Sequence, residues 1–206
     1  MQVLTEPLAI EKKSMTIIEE NLPGILSRPV GEREIIKRVV HTTGDLSIAG
    51  QVLIHPRAVE SGLGAIRAGR TVVTDINMLK AGINAARLKS FGMGVRCYIS
   101  DPDVIAEAKR ENLTRAMVAM RKAAREAPGG IIAVGNAPTA LFALCSLIEN
   151  GEAAPALVVG TPVGFVGAKE SKEALMQLST PYITVPGTRG GSAIATAVVN
   201  ALLYLV

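Results

Sequence analysis

The chain has 206 residues, of which 49% are hydrophobic, 19% charged and 3% aromatic, with 20 glycines and no tryptophan. That length and balance exclude a disordered chain and fit one domain with a sizeable core. Net charge is a modest +4, no Lys/Arg run exceeds two residues, and few aromatics are present to stack on bases, so nucleic acid is not an expected partner.

The N-terminal stretch M-Q-V-L-T-E-P-L-A-I-E-K-K is too short and too acidic for a signal peptide. Helices are expected at about 8–20 and about 31–41, the second with Ile35, Ile36, Val39 and Val40 as its apolar stripe. That helix runs into V-V-H-T-T-G-D (39–45), which holds His41, one of only two histidines. Two readings apply. His41 is a C-terminal cap favoured by the helix dipole, or it is a proton donor with Asp45 available to orient its ring. Q-V-L-I (51–54) reads as a strand or an extended turn. His55 precedes Pro56 as a turn residue, and a helix follows over about 56–68.

From here the pattern is strand, loop, helix. T-V-V-T-D (71–75) and V-R-C-Y-I-S (95–100) read as strands, each followed by a helix. The second helix starts at Asp101-Pro102 and ends near Ala127-Pro128. The uncharged stretch from Gly129 to Ile148 has the length of a membrane span. Gly135-Asn136 and Pro138 break it into a strand (131–134), a turn and a helix to Glu149. Two further units follow: strand 156–159, loop 160–167 and helix 168 to about 178; then strand 182–185, loop 186–192 and a helix to the C-terminus.

The expected fold is α/β: a single domain over 1–206, with a mostly parallel sheet of about five strands, helices on both faces in Rossmann-like layers, and added N-terminal helices. Cys97 and Cys145 form no C-x-x-C pair. Each reads as a small buried hydrophobe of a cytoplasmic protein rather than as a metal ligand. Ligands of such sheets bind beyond the carboxyl ends of the strands. Here those ends carry Thr74-Asp75, Ser100-Asp101, Gly135-Asn136 and the 160–167 and 186–192 loops. Glycine-rich loops and helix N-termini suit anions, yet no P-loop or dinucleotide fingerprint is present.

G-N-A-P-T-A-L-F (135–142), G-T-P-V-G-F-V-G-A-K-E-S-K (160–172) and G-T-R-G-G-S-A (187–193) together resemble the precorrin-8X methylmutase family, also called precorrin isomerase. The 39–45 stretch matches the family's histidine segment, and T-D-I-N-M-L-K-A-G-I (74–83) and L-T-R-A (113–116) also fit. The resemblance implies an isomerase of cobalamin biosynthesis. It would move a methyl group from ring carbon eleven to ring carbon twelve of precorrin-8X or cobalt-precorrin-8, giving hydrogenobyrinic or cobyrinic acid. It implies a homodimer with no cofactor and no metal site, and makes His41 the catalytic residue.

The expected substrate contacts come from several segments. Lys13, Arg115 and Arg189 supply charge, and Lys13 stands where the family often has arginine. Met78 and Phe165 supply apolar surface. Ser14, Thr42, Asn136, Thr139 and Ser192 supply polar side chains. Gly135, Gly164, Gly190 and Gly191 lie in loops expected to offer N–H donors. Two rivals are a corrinoid carrier, separated by its lack of turnover, and a nucleotide-binding oxidoreductase, disfavoured by the missing fingerprint.

Overall fold

Apolar runs between glycine-rich turns form the sheet, as described for residues 5–206 in a computed structural model. Its strands are β1 (Leu53–Ile54), β2 (Val72–Thr74), β3 (Val95–Arg96), β4 (Ile131–Val134), β5 (Leu157–Gly160) and β6 (Tyr182–Thr184). Their order is β1-β6-β5-β4-β2-β3. All neighbours pair in parallel except β1, which lies antiparallel to β6 with Leu53 opposite Thr184. Every residue of β2, β4 and β5 is buried, which is why these segments read as unbroken apolar runs rather than alternating ones.

The helices are α1 (Pro7–Asn21), α2 (Val30–Thr43), α3 (Ala58–Arg67), α4 (Asn77–Gly82), α5 (Ala85–Ser90), α6 (Pro102–Glu111), α7 (Arg115–Glu126), α8 (Pro138–Glu149), α9 (Ala168–Gln177) and α10 (Ser192–Leu205). Strand side chains alternate between two cores. On one face, Val72, Ile131, Leu157, Val159 and Ile183 pack with Ile35, Ile36 and Val39 of α2 and with Ala195, Val198 and Leu202 of α10. On the other, Val73, Ile132, Val134 and Val158 pack with Ala119 and Met120 of α7, Leu141 and Leu144 of α8, and Leu175 of α9. The uncharged α10 is buried along most of its length beneath α2, so the N-terminal helices form a second layer over it.

Four details differ from the sequence reading. The sheet has a sixth strand, because the end of Q-V-L-I pairs with β6 after a 3-10 segment over Leu46–Gln51. The helix expected from 101 to 127 is two: Asn112 takes a left-handed conformation (φ 52°) and the Thr114 side chain caps α7 by accepting from the Met117 N–H. The helix after β2 is also two. Ile83 is extended, and Asn84 starts α5 by accepting from the Arg87 N–H. Finally, only Val95 and Arg96 of the 95–100 run join the sheet, leaving Cys97 half-buried while Cys145 is buried.

The chain leaves β2 for β3 at one edge, then returns past β2 to β4 and continues to β5 and β6. Winding therefore reverses between β2 and β4, the place where such sheets open a crevice at their carboxyl ends.

Candidate functional site

His41 is exposed in the last turn of α2, at the end of the buried stripe. Its Nδ1 lies 2.8 Å from the Ser14 Oγ of α1. If the serine hydroxyl donates, Nδ1 is the acceptor and a neutral ring carries its proton on Nε2. The expected orienter, Asp45, is engaged elsewhere. It accepts from the Ser47 N–H at 2.8 Å and pairs with the Arg189 guanidinium. Hydrogen bonds from Ser47, and after them Arg189, hold its carboxyl below the ordinary range. Asp45 lies beyond the helix end in extended backbone, while packing of α1 on α2 brings Ser14 to the ring.

Beside His41 is a cleft of about 440 Å³ between α2, α4 and α10, lined by Arg38 and Thr42, by Met78, and by Ser192, Asn200 and Tyr204. His41, Thr42, Met78 and Ser192 thus meet in one place, with Ser14 behind the histidine. Arg38, Asn200 and Tyr204 were not among the expected contacts. Arg38 is paired with Glu11 at 2.7 Å and lies 5.6 Å from the Tyr204 ring centroid. The Tyr204 hydroxyl accepts from Asn84 Nδ2 at 2.9 Å, and the Arg87 guanidinium sits 4.9 Å from the ring centroid. The larger groove of about 550 Å³ between α7 and α8 is lined by none of the expected site residues.

The crevice between β2 and β4 is already filled. Asp75, 1% exposed, accepts N–H bonds from Gly135 (3.0 Å), Asn136 (2.8 Å) and Ala137 (2.8 Å). Burial pushes its carboxyl pKa upward, and the backbone donors only partly oppose this. The N–H groups expected to face a ligand from this loop are therefore spent on an internal carboxylate at the start of α8. Gly135 packs too closely for a side chain, since a Cβ there would lie 2.7 Å from Ser192 Cα. The Asn136 side chain remains exposed.

Further along the carboxyl edge, Thr139 of α8 shares a 3.1 Å hydroxyl contact with Thr114, which brings exposed Arg115 beside the start of α8. In the 160–167 loop the Gly164 N–H donates to the Thr188 carbonyl at 3.2 Å, while Phe165 and Val166 are 94% and 89% exposed. Gly190 is wedged against the end of β5: a Cβ there would come 2.6 Å from the Pro162 carbonyl oxygen. The Gly191 N–H donates to the Thr161 carbonyl at 2.7 Å, and Ser192 begins α10. The Arg189 guanidinium bonds Asp45 and Ser47, whereas Lys13 is exposed on α1 next to Ser14. Among the described residues, no group of three or more His, Cys, Asp or Glu is arranged to hold a metal ion.

The sequence profile of the family described as precorrin-8X methylmutase matches residues 9–205. A cobalt-precorrin-8 methylmutase of Priestia megaterium is 47% identical over 202 residues, covering 97% of this chain and 88% of that protein. A precorrin-8X methylmutase of Pseudomonas aeruginosa is 39% identical over 198 residues, covering 94% of this chain and 93% of that protein. Among solved structures, a precorrin-8X methylmutase from Thermus thermophilus superposes with a TM-score of 0.89 at 39% identity, covering 96% of this chain and 95% of that one.

Proposed function

The chain belongs to the precorrin-8X methylmutase family, and from that premise we propose how it acts as an isomerase of cobalamin biosynthesis. It moves a methyl group from ring carbon eleven to ring carbon twelve of precorrin-8X or cobalt-precorrin-8. The observation that carries the site is His41, exposed at a cleft and held through Nδ1 by Ser14. The reaction is an intramolecular rearrangement, so no electron or group leaves the molecule. What it asks of the protein is a proton donor or hydrogen-bond donor aimed at the macrocycle and a surface that fixes its orientation. His41 supplies the first.

The second falls to the residues around it. Thr42, Met78 and Ser192 line the cleft, Ser14 of α1 meets it through His41, and exposed Lys13 beside Ser14 is assigned a carboxylate at the substrate's rim. Asn136, Thr139 and Arg115 extend the surface along the carboxyl edge, and Gly164 and Phe165 present an apolar flap. Gly135 and Gly190 contribute by close backbone packing, Gly191 by a positive φ of 122° and its N–H bond to the Thr161 carbonyl, and Arg189 through the turn it holds. Arg38 adds the guanidinium nearest His41 along α2, suited to a peripheral carboxylate of the substrate. The working unit is one domain over 1–206, assembled as a homodimer in the cytoplasm. Free Cys97 and Cys145 fit a reducing compartment.

The test is His41→Ala, assayed on metal-free and cobalt-bound substrate supplied separately. Turnover falls by about 10²–10⁴-fold while product affinity is nearly unchanged, because binding is spread over many contacts and proton donation is not. A variant keeping more than about a tenth of the parent rate returns His41 to the role of a helix cap.

A further inference from the structure

Lys172 of α9 is 0% exposed, and among the described residues its ammonium pairs with no carboxylate. Its hydrogen-bond partner is the backbone carbonyl of Arg189, at 2.6 Å. We propose that Lys172 is a positioning residue for the methylmutase site: it clamps the Arg189 carbonyl, and so sets the 187–191 turn and the start of α10 in the arrangement that receives substrate. This rests on the reading of the cleft given above.

Stability does not account for a lysine here. A buried cation with no counter-ion is costly, and an apolar side chain of similar length would fill the space without that cost. Burial alone pushes the Lys172 pKa down to about 8. Among the described residues, the charged or titratable groups around it make no bond to it. On α9 itself, Lys169 and Glu173 face each other at 3.8 Å and Glu170 is exposed. On the elements packed against α9, Glu149 ends α8 and is exposed, Cys145 is buried in the α7–α8 core, and Tyr182 of β6 stacks edge-on with His55.

The clamp acts on a turn that the cleft depends on. Arg189 is held at both ends, its carbonyl by Lys172 and its guanidinium by Asp45 and Ser47, just beyond the helix that carries His41. Gly190 and Gly191 then fit the backbone against Thr161 and Pro162. The next residue, Ser192, lines the cleft. Lys172 therefore acts through the Arg189 carbonyl and touches no substrate atom in this scheme.

The experiment compares Lys172→Met and Lys172→Arg with the parent by thermal unfolding, by kcat and KM, and by affinity for the corrinoid product. For Lys172→Met the expected result is a melting temperature at or above the parent's at neutral pH, together with a KM and a product Kd raised about tenfold or more. Lys172→Arg keeps the donor and the charge and recovers part of the loss. Lys172→Met with KM and product affinity within about threefold of the parent overturns the proposal. So does a KM loss accompanied by a lower melting temperature, which would mark Lys172 as a structural residue only. Failure of the parent protein to convert either substrate form defeats the underlying reading instead, and that is seen before any variant is made.

Discussion

Arg38 stands three residues before His41 on α2, so helical geometry sets the two side chains on one face, and both line the cleft. Its present partner, Glu11, has a side chain 45% exposed, so the pair is an exchangeable one rather than a buried lock. A substrate carboxylate replacing Glu11 would gain a charge-assisted bond worth about 1.5–3 kcal/mol. Arg38→Met should therefore raise KM by roughly 10- to 100-fold with a smaller effect on kcat. Glu11→Gln, which frees the guanidinium, should leave KM unchanged or lower it. If Arg38→Met holds KM within about twofold, the guanidinium serves α1–α2 packing alone.

Lys172 makes a second prediction at this scale, from the sign of its shift. Its pKa falls from the ordinary 10.5 to about 8 in the folded protein. The folded state thus binds fewer protons than the unfolded state between those two values. The destabilisation is fully present below pH about 8 and is relieved as pH rises toward 10.5. The gap is at most roughly 3 kcal/mol. Melting curves of Lys172→Met should show their largest advantage near neutral pH, shrinking toward pH 10. A constant advantage across that range would mean that folding does not lower the Lys172 pKa.

At this scale the sequence singles out a candidate but not its neighbours. His41 stands out by rarity and by its place at a helix end. Asp45 looked like its orienter because it is near in sequence, yet the partner is Ser14, 27 residues earlier. Tyr204 and Asn84 meet across 120 residues. Such contacts follow from how α1 and α10 pack on α2, and no local spacing encodes them.

At the scale of elements, βα alternation and turn chemistry carried the reading. Each buried strand is an apolar run too short to be a helix; Pro102 begins a helix as expected, and Pro138, read as part of the loop, begins α8. The break between α6 and α7 was also written in the chain, as a left-handed asparagine followed by a capping threonine, N-L-T at 112–114. The helical periodicity on either side masked it. Asp75 was visible only as a polar residue at a strand end. Its role required knowing that β2 and β4 are neighbours, which depends on the sheet order.

Asp75 also explains why a doubly wound sheet lacks a nucleotide crevice here. Its carboxylate takes the place an anionic ligand would occupy, against the first N–H groups of the α8 end. Asp75→Asn leaves at least one of those donors without an acceptor, at a cost of about 1–3 kcal/mol. For a domain of this size the melting temperature should drop by roughly 2–10 °C. Amide exchange at 135–137 should accelerate more than in β5 or α10. Unchanged melting and unchanged exchange would show that the loop is held by packing rather than by the carboxylate.

At the scale of the whole molecule, the carboxyl side of the sheet leaves large apolar side chains exposed. Phe165 is 94% exposed, Val166 89% and Met78 73%, and all three lie on the carboxyl side of the sheet. Mean hydropathy is +0.34. Large apolar side chains left exposed on that side offer a surface for contact with something else. On the proposed function, we expect a flat macrocycle to cover part of it and a second copy of the chain to cover the rest, in a symmetric dimer with two equivalent sites. Light scattering after gel filtration at low micromolar concentration should give about twice the 21.5 kDa chain mass. A mass near 21.5 kDa with full activity would reject both the dimer and a pocket shared between subunits. Sharing needs a separate experiment, because a dimer can carry two self-contained sites. His41→Ala and Arg115→Met chains are unfolded together and refolded as a mixture. If one pocket draws His41 from one subunit and Arg115 from the other, each mixed dimer contains one intact site, and the mixture regains about a quarter of parent activity. If both residues of a pocket come from one chain, every site in every mixed dimer carries a defect and mixing restores nothing.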